Sequence, residues 1–97
     1  KWKTMEEIEI PTSLKDCLAV LEKIPEKEFN KANIETSFYN FISESYLYKK
    51  DKGRLLCPLR VALSGKKASP GPFEIAEILG KEESIKRVNF ALSKLNS

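Results

Sequence analysis

SLKDCLAVLEKI, residues 13–24, is the stretch on which the fold turns. Its apolar residues, Leu14, Cys17, Leu18, Leu21 and Ile24, recur every three or four positions and make one stripe of a helix. Thr12 or Ser13 can cap its start, and Asp16 suits its first turn. Pro25 ends it. Cys17 falls inside the stripe and reads as a small buried hydrophobe. The stretch therefore predicts a helix over 13–24 with one face toward a core.

The same period extends outward. Upstream, Ile8 and Ile10 suggest a short extended lead-in closed by Pro11. Downstream, a helix is predicted over 31–48, with Ile34, Phe38, Phe41, Ile42 and Ser45 on one face. Its aromatics read as core, except Tyr48, which abuts Lys49 and Lys50 and could offer a stacking surface for a base. Lys49–Gly53 reads as a basic turn. Pro58 fits the first position of a short helix, 58–64, that buries Leu59, Ala62 and Leu63, sends Arg60 out on the other side and closes at Gly65. A helix over 73–79 ends at Gly80. A last helix starts near Lys81 or Glu82, with acids first, bases later and a stripe of Ile85, Val88, Leu92 and Leu95. No stretch alternates as a strand would. The expectation is all-α, a small helical bundle of about five helices, one domain over residues 1–97.

Composition narrows the function. The 97 residues contain no histidine, which removes His-based triads and nearly all catalytic zinc sites. Two separated cysteines, Cys17 and Cys57, cannot build a Cys₄ site and fit a reduced, cytoplasmic setting. The opening Lys1–Ile10 mixes charge and apolar residues, unlike a signal peptide, and no apolar run approaches a membrane span. A first residue other than methionine reads as a piece of a longer chain.

The net charge of +3 hides an asymmetry. Within residues 49–67, Lys49, Lys50, Lys52, Arg54, Arg60, Lys66 and Lys67 face the single acid Asp51. Clustered cations of this kind are the footprint expected for a phosphate backbone. A solvated basic loop, or a strip that docks an acidic protein partner, fits the same pattern.

The segment from Arg60 to Phe73 concentrates the functional signals. Lys66–Pro72, KKASPGP, is a stiff turn between two helices. Ser69 offers a hydroxyl, and the turn runs into a helix N-terminus, where N–H groups attract anions. Rigid polar backbone of this kind reads the edges of unstacked RNA bases. A plain helix–helix connector is the competing reading. No Walker pattern is present.

Here the chain resembles a known family. Leu59-Arg60-Val61-Ala62-Leu63-Ser64-Gly65, Ser69-Pro70-Gly71, Phe73-Glu74-Ile75 and Ile78-Leu79-Gly80-Lys81-Glu82, followed by Arg87 and an amphipathic helix, look like the C-terminal end of bacterial glutamyl-tRNA synthetases. The likeness is close over residues 58–87 and looser beyond; residues 1–53 share only helical character. The resemblance implies the C-terminal subdomain of an α-helical cage that grips the tRNA anticodon. It implies anticodon contacts at Arg60, Ser69, Pro70 and the residue after Gly71, which is Pro72 here and often leucine in relatives. Phosphate contacts then fall to Lys49, Lys50, Lys52, Arg54, Lys66 and Lys67. The implied partners are the anticodon loop of a glutamate tRNA and the preceding helical subdomain, with no membrane. No cofactor is implied in this segment, because ATP and Mg belong to the catalytic domain. No catalytic residue is implied here either, since the class I motifs are absent.

Overall fold

The computed structural model describes residues 5–65 and 71–95, with side chains from residue 10 onward. Among the described residues six α-helices follow one another: α1 (Met5–Lys23), α2 (Lys31–Ser43), α3 (Tyr46–Lys50), α4 (Gly53–Ser64), α5 (Pro72–Leu79) and α6 (Lys81–Leu95). A 3₁₀ turn, Glu26–Glu28, joins α1 to α2. No strand occurs among the described residues. The all-α expectation holds.

α1 packs against α6 and α4, α2 against α5, and α4 also against α5 and α6. The core between them holds the stripe read from the sequence. Leu14, Cys17, Leu21 and Ile24 from α1, with the connector after it, are buried, as are Ile34, Phe38 and Ile42 from α2. Leu55, Leu59 and Leu63 of α4 join them, with Phe73 and Ala76 of α5 and Val88 and Leu92 of α6. Cys17 is fully buried, and its Sγ donates to the Leu55 carbonyl at 3.6 Å, tying α1 to α4. Burial pushes its thiol pKa well up, with the Asp16 carboxylate adding to the shift.

Three boundaries and one helix face differ from the sequence reading. There is no extended lead-in: α1 begins at Met5, and Pro11 lies inside it. Ser13 is consequently a buried mid-helix residue, not a cap. Second, the long helix over 31–48 is two. The chain breaks at Glu44–Ser45, where Ser45 is extended and its Oγ accepts from the Tyr48 N–H, capping α3. Ser45 is therefore a start signal and not a member of the α2 face. Third, α4 begins at Gly53, five residues before Pro58. An interior proline costs about 3 kcal/mol. Burying Leu55 and Leu59, on either side of it, gains roughly 3–6 kcal/mol together, so tertiary packing is large enough to carry the helix through it. Fourth, the α6 stripe is rotated. Ser84 is buried and Leu95 exposed.

The break before α3 has a purpose. It turns Tyr48 inward, so that the ring is buried and its hydroxyl donates to Asp16 Oδ2 at 2.7 Å, with Ser13 Oγ 3.3 Å away. Tyr48 is a core anchor between α3 and α1, which corrects its reading as a stacking surface. The exposed ring of this stretch is Tyr46.

Two cations of α6 close helix ends elsewhere. Lys81 Nζ donates to the Glu22 carbonyl in the last turn of α1 at 3.1 Å. Arg87 Nη1 donates to the Leu63 carbonyl in the last turn of α4 at 2.7 Å. Both bonds satisfy carbonyls that a helix leaves without an internal partner, at the end where the dipole favours positive charge.

Candidate nucleic-acid interface

The candidate interface is built on α4 and the two corners at its ends. The N-terminal corner gathers Lys49 and Lys50 from the last turn of α3, Lys52 at the α4 cap and Arg54 in its first turn. Lys49, Lys50 and Lys52 are exposed and Arg54 is half-buried. Their charge is not all available. Arg54 Nε lies 3.5 Å from Asp51 Oδ2. Lys50 Nζ donates to the Tyr46 hydroxyl at 2.9 Å and sits 4.5 Å from that ring's centroid. Lys52 Nζ lies 5.3 Å from the Tyr39 centroid, and Tyr39 meets Phe73 of α5 edge-on at 5.8 Å. The corner is thus a cluster in which Lys50, Lys52 and Arg54 are held by aromatic and acidic neighbours.

At the other end, α4 closes as the sequence predicts. Gly65 takes φ 77, the left-handed conformation that residues with a Cβ rarely adopt, and its N–H donates to the Val61 carbonyl at 2.6 Å. Ser64 Oγ donates to the Arg60 carbonyl at 2.8 Å. Arg60 stands one turn before this end. It is half-buried beside Leu59 and Leu63 and does not project freely from the opposite side. Six residues separate it from Arg54, which puts the two guanidinium groups about 120° apart around the helix. The basic residues of α4 therefore do not form one stripe.

Lys66, Lys67, Ser69 and Pro70 lie outside the described residues. The chain is described again at Gly71, the cap of α5. Pro72 follows at the first helical position and is buried, so its ring is packed into the protein. The α5 N-terminus is not an open anion site. Glu74 Oε1 accepts from the Gly71 N–H at 3.2 Å, and Glu74 Oε2 lies 3.8 Å from Lys31 Nζ. A carboxylate of α5 itself already sits on the cap N–H, at the end where the dipole favours negative charge.

Arg87 lies on the last helix, as the sequence reading has it, but that reading does not foresee its contact with α4. Besides its bond to Leu63, its Nε donates to Glu83 Oε2 at 2.9 Å. That bond holds the Glu83 carboxyl below the usual carboxylate range. No local pattern could have revealed the Leu63 contact, because the partners are 24 residues apart. Among the described residues, no cluster of three or more Cys, Asp or Glu could hold a metal, and no helix is long and apolar enough to cross a membrane.

Comparison with known proteins gives a consistent result. The family model described as "Anticodon binding domain" matches residues 1–92. A glutamate–tRNA ligase of Clostridium acetobutylicum is 46% identical over 96 residues, which is 98% of this chain and 19% of the ligase. The ligase of the same name from Clostridium tetani is 45% identical over 86 residues, 88% of this chain and 17% of the relative. That of Flavobacterium johnsoniae is 36% identical over 87 residues, 90% and 16%. The chain thus spans less than a fifth of the length of these relatives. No solved structure matches it significantly.

Proposed function

The chain belongs to the anticodon binding domain family, and from that premise we propose that it reads the anticodon loop of a glutamate tRNA as part of a glutamate–tRNA ligase. The observation that carries the proposal is Arg60. It stands one turn from the tied end of α4, immediately before a segment with Lys66, Lys67, Ser69 and Pro70. A guanidinium can stack on an unstacked base or bridge to phosphate. Bases in a single-stranded loop present the edges that a rigid segment can bond. The corner of Lys49, Lys50, Lys52 and Arg54 supplies charge for the phosphate backbone, which sets affinity without choosing sequence.

The division of labour follows. The attachment of glutamate with ATP and Mg belongs to the catalytic part of the ligase, and this segment takes no cofactor of its own. A preceding helical subdomain of the same protein completes the grip on the anticodon, and the ligase works in the cytoplasm. Pro72, buried at the start of α5, would serve by shaping the turn between Ser69 and Phe73.

The test is binding of a labelled glutamate-tRNA anticodon stem-loop against the same stem with an unrelated loop, at low and moderate salt. The expected result is tighter binding of the cognate loop, with affinity that falls as salt rises. Arg60→Ala should weaken cognate binding by roughly 1–3 kcal/mol, the range for one base-directed contact. Equal affinity for both loops would leave only a basic strip and sink the anticodon reading.

A further inference from the structure

The last turn of α4 is tied at three carbonyls. Ser64 Oγ serves Arg60, Gly65 N serves Val61, and the guanidinium of Arg87, from α6, serves Leu63 at 2.7 Å. The first two bonds are local, and only the third reaches in from another helix. It joins the turn that carries Arg60 to α6, and through Nε it joins Glu83 as well. The fork of a guanidinium makes both bonds at once, which a single ammonium could not do with the same geometry.

We infer that Arg87 is a positioning residue for anticodon recognition: it fixes the last turn of α4 against α6 and so sets where Arg60 meets the RNA. The inference rests on the anticodon reading above. Arg87 is poorly suited to bind phosphate directly. Its Nε and Nη1 are committed to Glu83 and Leu63, and the Glu83 carboxylate at 2.9 Å offsets its charge. The core burial of Leu59 and Leu63 holds α4 in place, and the Arg87 bond fixes the last turn's carbonyl against α6; its loss allows a small shift there, and small displacements of a contact residue change affinity without removing any contact group.

The experiment is a double-mutant cycle with Arg60→Ala, Arg87→Met and the double variant, titrated with the cognate and unrelated stem-loops at several salt concentrations. Methionine keeps the apolar stem and removes the fork. Arg87→Met should weaken cognate binding roughly tenfold and leave the unrelated loop unchanged. The slope of log affinity against log salt should not move. The double variant should bind no more weakly than Arg60→Ala alone, because Arg87 acts through Arg60. Additive losses would overturn the inference. So would a slope reduced by about 0.7–0.9 with equal loss for both loops, which is the mark of a phosphate contact. If the methionine variant does not fold, Arg87→Lys carries the test. It keeps the charge and the salt slope but should lose part of the discrimination; wild-type discrimination would overturn the proposal. A wild-type chain that treats both loops alike fails on its own arm, and it removes the anticodon reading and this inference together.

Discussion

Replacing Tyr48 with phenylalanine deletes one oxygen and keeps the ring. That oxygen lies 2.7 Å from Asp16 Oδ2 and 3.3 Å from Ser13 Oγ. A phenol has one proton, so with that proton on Asp16 the contact with Ser13 is one in which the serine donates. A hydrogen bond to a charged acceptor contributes about 1.5–3 kcal/mol. Asp16 is only half-buried, and water can replace part of its loss. Ser13 is 1% exposed, and water cannot reach it easily. These opposing effects put the cost near 2 kcal/mol, inside the range for an orphaned buried group. At 4–8 °C per kcal/mol for a domain of this size, the melting temperature should fall by about 10 °C. Thermal unfolding followed by circular dichroism at neutral pH measures it. Alkali gives a second reading. Burial, ahead of the nearby Asp16 charge, pushes the Tyr48 phenol up to about 12 from its ordinary 10. Between pH 10 and 12 the unfolded chain has lost this proton while the folded chain keeps it. The stabilisation is therefore complete below pH 10 and declines as pH rises through that window. Phenylalanine lacks it, so the gap between wild type and variant should narrow across the same interval. An unchanged melting temperature at neutral pH would refute the anchor, and a gap constant from pH 9 to 12 would refute the perturbed phenol.

Gly65→Ala should cost about 1–2 kcal/mol, measured by urea unfolding, because a Cβ meets nothing within 4 Å there and only the left-handed φ of 77 resists it. Phe38→Ala, which removes a fully buried ring that meets Phe73 at 5.7 Å, should cost about 3–5 kcal/mol in the same assay. A thiol reagent should label Cys57, which is exposed, in the native chain and reach Cys17 only after denaturant is added. Native labelling of both at one rate would contradict the burial of Cys17.

Apolar period was the legible part of this fold. Leu14, Cys17, Leu21, Ile34, Phe38, Leu59 and Val88 could all be assigned to a core from spacing alone, because a helix face repeats wherever the core lies. Helix boundaries were less legible at Pro11 and Pro58. Local chemistry reads a proline as an edge, whereas burial of the residues around it decides whether the helix continues. Ser45 shows the reverse, a cap concealed inside a favourable period. At the candidate site, the clustered charge and the position of Arg60 on a helix could be read from the sequence, but not its half-buried side chain. The carboxylate of Glu74 on the Gly71 amide and the guanidinium of Arg87 on Leu63 could not. The first turns an expected anion site into an occupied one, and the second depends on how two distant helices pack.

The pairing of α1 with α6 sets the order in which the molecule can be completed. Within this segment α1 packs against α6, which is synthesised well after it, and Lys81 closes the carbonyl of Glu22 across 59 residues of sequence. On the ribosome, the apolar stripe of α1 must wait, partly uncovered, until Lys81–Leu95 has emerged. Before then α1 can pack on α4, and α2 and α3 can settle through contacts close in sequence. Loss of Lys81–Leu95 during synthesis would therefore leave a chain with an open core, not a smaller folded one, and quality control would meet it as a sticky intermediate.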